Sequence, residues 1–209
     1  MKKHFLITAL LALTYTTGQS QDQNKNYNTE PKPTFELNIN GKKYLVRENE
    51  ELKLDTVLSG PVVSVKQSEF KKFENAYFSF EYPRHLSYDY TEETAYRSWT
   101  LSGNSLIVMI FEADVKTELN AIAEEMANKF GRDNCTIERF EKELGGKLCV
   151  GKKLTVTLVG QNLTMECYKI QLNDSRSHYI YFQDGIVNGQ HSKEYEEGFS
   201  LVNSTIVFK

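Results

Sequence analysis

Histidine and cysteine are scarce in this chain of 209 residues, four of the one and three of the other. His4, His85, His178 and His191 form no His-x-x-x-His or His-Glu-x-x-His pair, so the familiar helix-borne zinc motifs are excluded. Cys135, Cys149 and Cys167 nowhere stand at Cys-x-x-Cys spacing. His178, Asp184 and His191 are the residues a turn could gather around a metal, but ordinary strand-end and loop positions are the preferred reading. A Gly-x-Ser-x-Gly elbow is also missing, since Gly103-Asn104-Ser105 opens a strand rather than a strand-to-helix turn. Phosphate-cradling glycine loops are absent too. Gly145-Gly146-Lys147 leads into a strand, with no helix N-terminus behind it to hold an anion. Nothing past the N-terminus approaches the roughly 18 apolar residues of a membrane-spanning helix. The sequence therefore offers no catalytic constellation, no metal site and no cofactor motif, and none of the three is expected.

Charge of either sign is not in excess. The formal net charge is −3. With Lys2 and Lys3 set aside, 23 of the 25 basic residues face 28 acidic ones, a net of about −5. Nucleic acid and anionic membrane surfaces both call for a basic face, so neither is expected as a partner. Adjacent carboxylates at Glu124-Glu125 and Glu196-Glu197 fall on helix positions that read as solvated faces, and Glu92-Glu93 follows a tyrosine-rich stretch.

What is present begins at the N-terminus. Lys2 and Lys3 precede an apolar run from Phe5 to Tyr15, and small residues follow at Thr16, Thr17, Gly18 and Ser20. This is the pattern of a secretory signal peptide, too short for a membrane span, with cleavage after Gly18 or Ser20. No cysteine lies near that site, so a lipid-anchored N-terminus is not expected. A periplasmic or secreted location would permit a disulfide, yet three cysteines leave one over. Cys135 and Cys149 flank a hairpin and could face each other. The preferred reading is three small core hydrophobes.

Residues 19–33 are polar and aperiodic and read as a disordered leader. A small β segment over 34–66 follows, in which Phe35, Leu37 and Ile39 alternate before Asn40-Gly41, the strongest short hairpin signal. Leu52 and Leu54, then Val63 and Val65, predict two further short strands. The main domain is expected over 67–209. It opens on the alternating Phe78, Phe80 and Tyr82, and Pro83 closes that strand because proline cannot donate to a ladder. Residues 84–93 read as a loop rich in tyrosine, and 94–101 have strand composition. The chain is organised around 104–131, where a near-continuous apolar run to Phe111 predicts a strand buried on both faces. Val115, Leu119, Ile122, Met126 and Phe130 then mark one stripe of a helix over about 115–130, with Asp114 as N-cap and Gly131 as stop. Antiparallel strands follow around Cys135 to Phe140 and Leu148 to Val150, then through the alternating Leu154, Val156 and Leu158, Leu163 to Leu172 and His178 to Phe182. A second helix over about 193–204 is capped by Ser192, with Tyr195, Phe199 and Val202 as its stripe, and Thr205 to Phe208 is extended.

Many antiparallel strands with two helices predict an α+β layered fold. The one unusual concentration of side chains is aromatic: Tyr82, Tyr88, Tyr90, Tyr96 and the sole tryptophan, Trp99, with Arg84 and Arg97 close by. Aromatics beside arginine make interface anchors. Tyr82, Arg84, Tyr88, Tyr90, Tyr96 and Trp99 are thus the candidate interaction surface, the alternative being that half of them line the core. Asn-x-Thr triplets at Asn134, Asn162 and Asn203 are acceptor sites for glycosylation in a suitable host.

From about Phe73 to Lys209 the chain resembles the PsbP-like superfamily, which includes PsbP accessory proteins, a Ran-binding nuclear import factor and DcrB-type bacterial envelope proteins. The resemblance rests on three features. Tyr77-Phe-Ser-Phe-Glu-Tyr-Pro83 matches an opening strand that ends in Tyr-Pro. The strand–helix unit at 104–131 and a terminal helix running into Asn203-Ser-Thr-Ile-Val-Phe208 complete it. A tryptophan commonly follows the Tyr-Pro in that group, and Leu86 to Tyr90 stand here instead. The resemblance implies an α-β-α sandwich around an antiparallel sheet and, since members mostly bind other proteins, no active site. The function expected is that of an exported, non-catalytic binding or accessory protein of the bacterial cell envelope, with another envelope protein as partner. The alternatives are a carrier of lipid or small molecules in an apolar cavity, or a hydrolase assembled from scattered residues such as His85, Ser87 and Glu92.

Overall fold

The computed structural model describes residues 28–55, 57–158, 161–172 and 175–209. The signal segment, the leader up to residue 27, and the turn residues Gly160, Asn173 and Asp174 lie outside the described residues. The chain runs β1 (Thr34–Ile39), β2 (Lys42–Arg47), β3 (Val63–Gln67), β4 (Phe70–Glu74), β5 (Phe78–Pro83), β6 (Ser87–Glu93), β7 (Tyr96–Ser102) and β8 (Ile107–Ala113). Helix α1 (Leu119–Phe130) follows, then β9 (Cys135–Leu144), β10 (Lys147–Leu158), β11 (Gln161–Ile170), β12 (Ser177–Ile186), α2 (Lys193–Thr205) and β13 (Val207–Phe208).

The fold is α+β, with a mainly antiparallel central sheet, two helices and an N-terminal β segment. Seven strands in the order β6-β7-β8-β12-β11-β10-β9 form the central sheet, every neighbouring pair antiparallel. Helix α1 covers one face. The other carries α2 together with a small sheet in the order β13-β5-β4. Because β8 is covered on both sides, its alternate residues enter different cores. Val108 and Ile110 pack toward α2, whereas Met109, Phe111 and Ala113 pack toward α1. This double burial is why the sequence there shows an apolar run without alternation.

The α1 stripe buries Leu119, Ile122, Ala123, Met126 and Ala127. Each large side chain among them contributes about 1.5–3 kcal/mol as an upper estimate. The helix begins later than its periodicity suggests. Val115 is 55% exposed and the N-cap is Glu118, which makes no side-chain cap. Asp114 does not cap the helix, because its carboxylate lies 3.4 Å from Arg176 Nε and its N–H donates to Ala95 O. At the other end Gly131 has φ +85°, a conformation that side chains resist. Helix α2 starts as expected, with Ser192 Oγ accepting from Tyr195 N. Gly198 lets this helix lie close to the β7–β8 turn, where a Cβ would stand 2.2 Å from Leu106 Cδ2.

Residues 87–93 form strand β6 and not a loop. Tyr88 and Tyr90 alternate with Ser87, Asp89 and Thr91 and pair with Leu101 and Trp99 on β7. The strand was hidden because two glutamates and an aspartate dilute the alternation. In the N-terminal sheet, ordered β2-β1-β3, the hairpin turns on Asn40 (φ +50°) and Gly41 (φ +83°) as its sequence demands. Leu52 and Leu54 are not in a strand. β1 is already paired along both edges, and Asn49 (φ +63°) turns the chain away after β2. The described end of the leader is tied down, since Glu30 forms an ion pair with Lys71 and Pro33 O accepts from Glu48 N.

Cys135 and Cys149 do not meet. Across the β9–β10 ladder Cys135 pairs with Val156 and Cys149 with Lys142, and the two thiols enter opposite cores. All three cysteines are free and buried, and burial pushes their pKa values up, that of Cys167 to about 12.

Candidate functional site

The alternation of β6 and β7 divides the six candidate surface residues. Tyr82 (0% exposed) and Trp99 (2%) belong to the core beneath α2 and the small sheet, so neither can serve on a surface. Trp99 packs edge-on against Phe73 at 5.8 Å and beside Tyr90 at 5.4 Å. Tyr88 and Tyr90 lie half-buried on that same core. Tyr96 points to the opposite face, stacked on Phe111 at 5.2 Å. Arg84 is exposed and donates to Gln67 Oε1 at 2.6 Å. The aromatic content is therefore mainly core filling, and only Arg84 of the six is exposed.

The scattered acid–base residues do not assemble. His85 Nε2 lies 2.8 Å from Glu194, not from Glu92. Ser87 Oγ donates to Ser102 O, while Glu92 accepts from Arg97 Nε and Tyr90 OH at the far end of β6. The Glu194 carboxylate also accepts from the backbone N–H groups of Asn104, Ser105 and Leu106, which fastens α2 to the β7–β8 turn. Burial alone would raise its pKa, but those backbone N–H groups together with His85 outweigh it and hold the carboxyl below the ordinary range.

Two buried polar clusters lie on the α2 face. Glu112 on β8 is flanked by Arg176 Nη1 at 2.6 Å and Arg97 Nη1 at 3.4 Å, and Arg176 also donates to Tyr77 OH. Glu166 on β11 accepts from Lys142 Nζ (2.6 Å), Tyr168 OH (2.8 Å) and Tyr195 OH (3.4 Å). Burial tends to raise the Glu166 pKa, and the bonds from Lys142 and Tyr168 more than offset it, so the carboxyl titrates below its usual range. Beside this cluster Asp184 and His191 do converge. Asp184 Oδ2 accepts from Ser192 N at 2.8 Å and lies 3.0 Å from His191 Nδ1, whose ring stacks on Tyr195. His178 is at the other end of β12, against Tyr77 at 4.1 Å, so the three residues do not gather. Among the described residues no group of three or more His, Cys, Asp and Glu side chains is placed to hold a metal ion.

A different site lies where the N-terminal sheet meets the main domain. Residues 29–32, Thr34 and Arg47 form one wall of a cleft of about 310 Å³, and Lys72, Phe73 and Glu74 of β4 with Tyr88 of β6 form the other. Phe73 is a buried floor. The anions here are matched, Glu30 by Lys71 and Glu74 by Lys209. Lys32, Arg47 and Lys72 form no ion pair among the described residues. The Tyr88 phenol is kept neutral, burial and the nearby Glu30 raising its pKa to about 12. Chemically the cleft offers an aromatic wall, two matched carboxylates and three cations that form no ion pair among the described residues. Of its lining, sequence reasoning singled out only Tyr88. Lys32, Arg47 and Lys72 lie on three separate segments and carry no local signal.

No family model matches the chain. No curated protein matches it either. Among solved structures, a protein of Bacteroides thetaiotaomicron VPI-5482, determined at 1.50 Å, is similar at 17% identity with a TM-score of 0.41. The likeness covers 68% of this chain and 49% of the other, so the chain spans about half the length of that relative. At this level it lends no argument about function. No helix among the described residues is long and apolar enough to cross a membrane.

Proposed function

We propose that the protein is an exported, non-catalytic binding or accessory protein of the bacterial cell envelope. It recognises another envelope component through the side where the N-terminal sheet meets β4 and β6. Export is read from Lys2, Lys3, the apolar run Phe5 to Tyr15 and the small residues that follow. The resemblance of Phe73 to Lys209 to the PsbP-like superfamily supports a binding role. The observation that carries the reading is the contrast in charge satisfaction. The buried acids Glu112 and Glu166 are each fixed by two or more donors, whereas Lys32, Arg47 and Lys72 line a cleft and form no ion pair among the described residues. Cations outside ion pairs at a concave site are available to a ligand.

Affinity purification of the tagged protein from its native envelope, followed by mass spectrometry, tests this. A specific component is expected with the wild type and is lost when Lys32, Arg47 and Lys72 are changed to alanine. Equal recovery with wild type and triple variant would overturn the assignment of the recognition side, and recovery of nothing specific would count against a binding role.

A further inference from the structure

The cleft carries an inference about ligand chemistry, which rests on the binding reading above. Its three cations, none of them in an ion pair among the described residues, differ in kind. Arg47 presents a planar fork suited to two oxygens of one group, while Lys32 and Lys72 are point charges on flexible stems. Arg47 lies opposite Thr34 in the β1–β2 register, and both line the cleft. With Glu30 held by Lys71 and Glu74 by Lys209, the local excess is positive on a chain that is negative overall. That excess suits one or two negative charges concentrated on a small head group. Tyr88 supplies a neutral ring at the wall, and the cleft, about 310 Å³, is at the small end of the range for ligand sites, roughly 300–1,000 Å³. An extended apolar chain does not fit a rim this charged.

We propose that this cleft binds a small organic anion, its oxyanion head (phosphate or carboxylate) held by Lys32, Arg47 and Lys72 and its body laid along Tyr88. Since the walls come from the N-terminal sheet and from β4 and β6, the bound anion bridges the two parts and fastens one to the other.

The test is calorimetric titration of the full chain with phenyl phosphate, benzoate and phenol as probes. Saturable one-to-one binding of phenyl phosphate, benzoate or both is expected, weakened by added salt, with phenol binding far more weakly. Which anion binds tighter identifies the head group as phosphate or carboxylate. Arg47→Ala should lower affinity about tenfold, the loss expected for one charge-assisted hydrogen bond. Arg84→Ala, outside the cleft, should leave it unchanged. All the altered side chains are exposed or at a rim, and an unchanged melting temperature in the absence of probe confirms that the variants fold. No saturable binding of either anion, equal binding of phenol, or undiminished binding by the Lys32, Arg47 and Lys72 triple alanine variant would overturn the proposal. A partner captured from the envelope by a protein that binds neither anion would remove this ligand class alone. Anion binding without a captured partner would remove the accessory reading and keep the site.

Discussion

The three-stranded N-terminal sheet and the seven-stranded central sheet are both antiparallel, yet they end in opposite states. β12 is buried over its first six residues and β8 over all but Ile107. β3 is exposed throughout, with Val63 at 51% and Val65 at 60%. On the apolar side of the small sheet, where the register aligns Phe35, Leu37 and Ile39 with Tyr44, Val46, Val63 and Val65, only Val46 is fully buried. Alternation assigns a side chain to a face, and only a covering layer converts that face into core. Stability is therefore concentrated in the central sheet and its two covers. The N-terminal sheet contributes less to stability and supplies instead one wall of a cleft with unmatched charge.

Substitutions in the two regions should differ accordingly. The largest effect is expected from Ile122→Asp, which places a carboxylate in the core under α1, where Ile122 is 4% exposed. Burial of an unpaired charge costs enough to abolish a marginally stable fold. Circular dichroism should show no cooperative melt, and a soluble protein with a sharp transition would refute the role given to this helix. Next is Arg176→Ala, which deprives buried Glu112 of its closer partner and leaves only Arg97. About 3 kcal/mol of destabilisation is expected from chemical denaturation.

Glu166→Gln is a smaller change, about 1–2 kcal/mol at neutral pH, because the charge-assisted bond from Lys142 is weakened while Tyr168 and Tyr195 retain an acceptor. Its pH signature is specific. The folded-state pKa of Glu166 lies below the unfolded value of about 4.5, so its stabilisation is present above that pH and is lost as pH falls through the folded value. The gap in melting temperature between wild type and Glu166→Gln should shrink on acidification below about pH 4.5, and a gap that stayed constant would mean that the network does not depend on the ionised acid. The smallest effect, within about 0.5 kcal/mol, is expected for Val65→Thr on the exposed strand β3. A loss there comparable with that of Arg176→Ala would break the contrast between the two sheets.

Local features were legible where a residue carries its own reason. Asn40-Gly41 makes its hairpin because both positions take positive φ, and Ser192 caps α2 because its hydroxyl reaches an otherwise unbonded N–H. The double burial of β8 showed as a run without alternation. The failures have equally local causes. Asp114 was drawn away from the helix by Arg176, an ion pair spanning the connection from β8 to β12 that no local window contains. The tyrosines around Trp99 looked like a surface patch because aromatic density says nothing about which side a strand turns inward. The cleft was invisible for a similar reason, since its three cations are separated by 15 residues or more along the chain.

What the sequence determined alone is the alphabet of the fold: which segments are strands or helices, β6 and the stretch from Leu52 to Leu54 excepted, where most of the turns fall, and which side of most elements is apolar. These follow from backbone sterics, capping and periodicity, all of which act within a few residues. Only the tertiary structure decided that β12 inserts between β8 and β11, and that Gly151 admits the Phe140 ring, whose Cζ would stand 2.1 Å from an added Cβ. It also decided which cations entered ion pairs and which were left lining a cleft. Those outcomes depend on contacts between distant segments, and periodicity records the face a residue takes but not what will be opposite it.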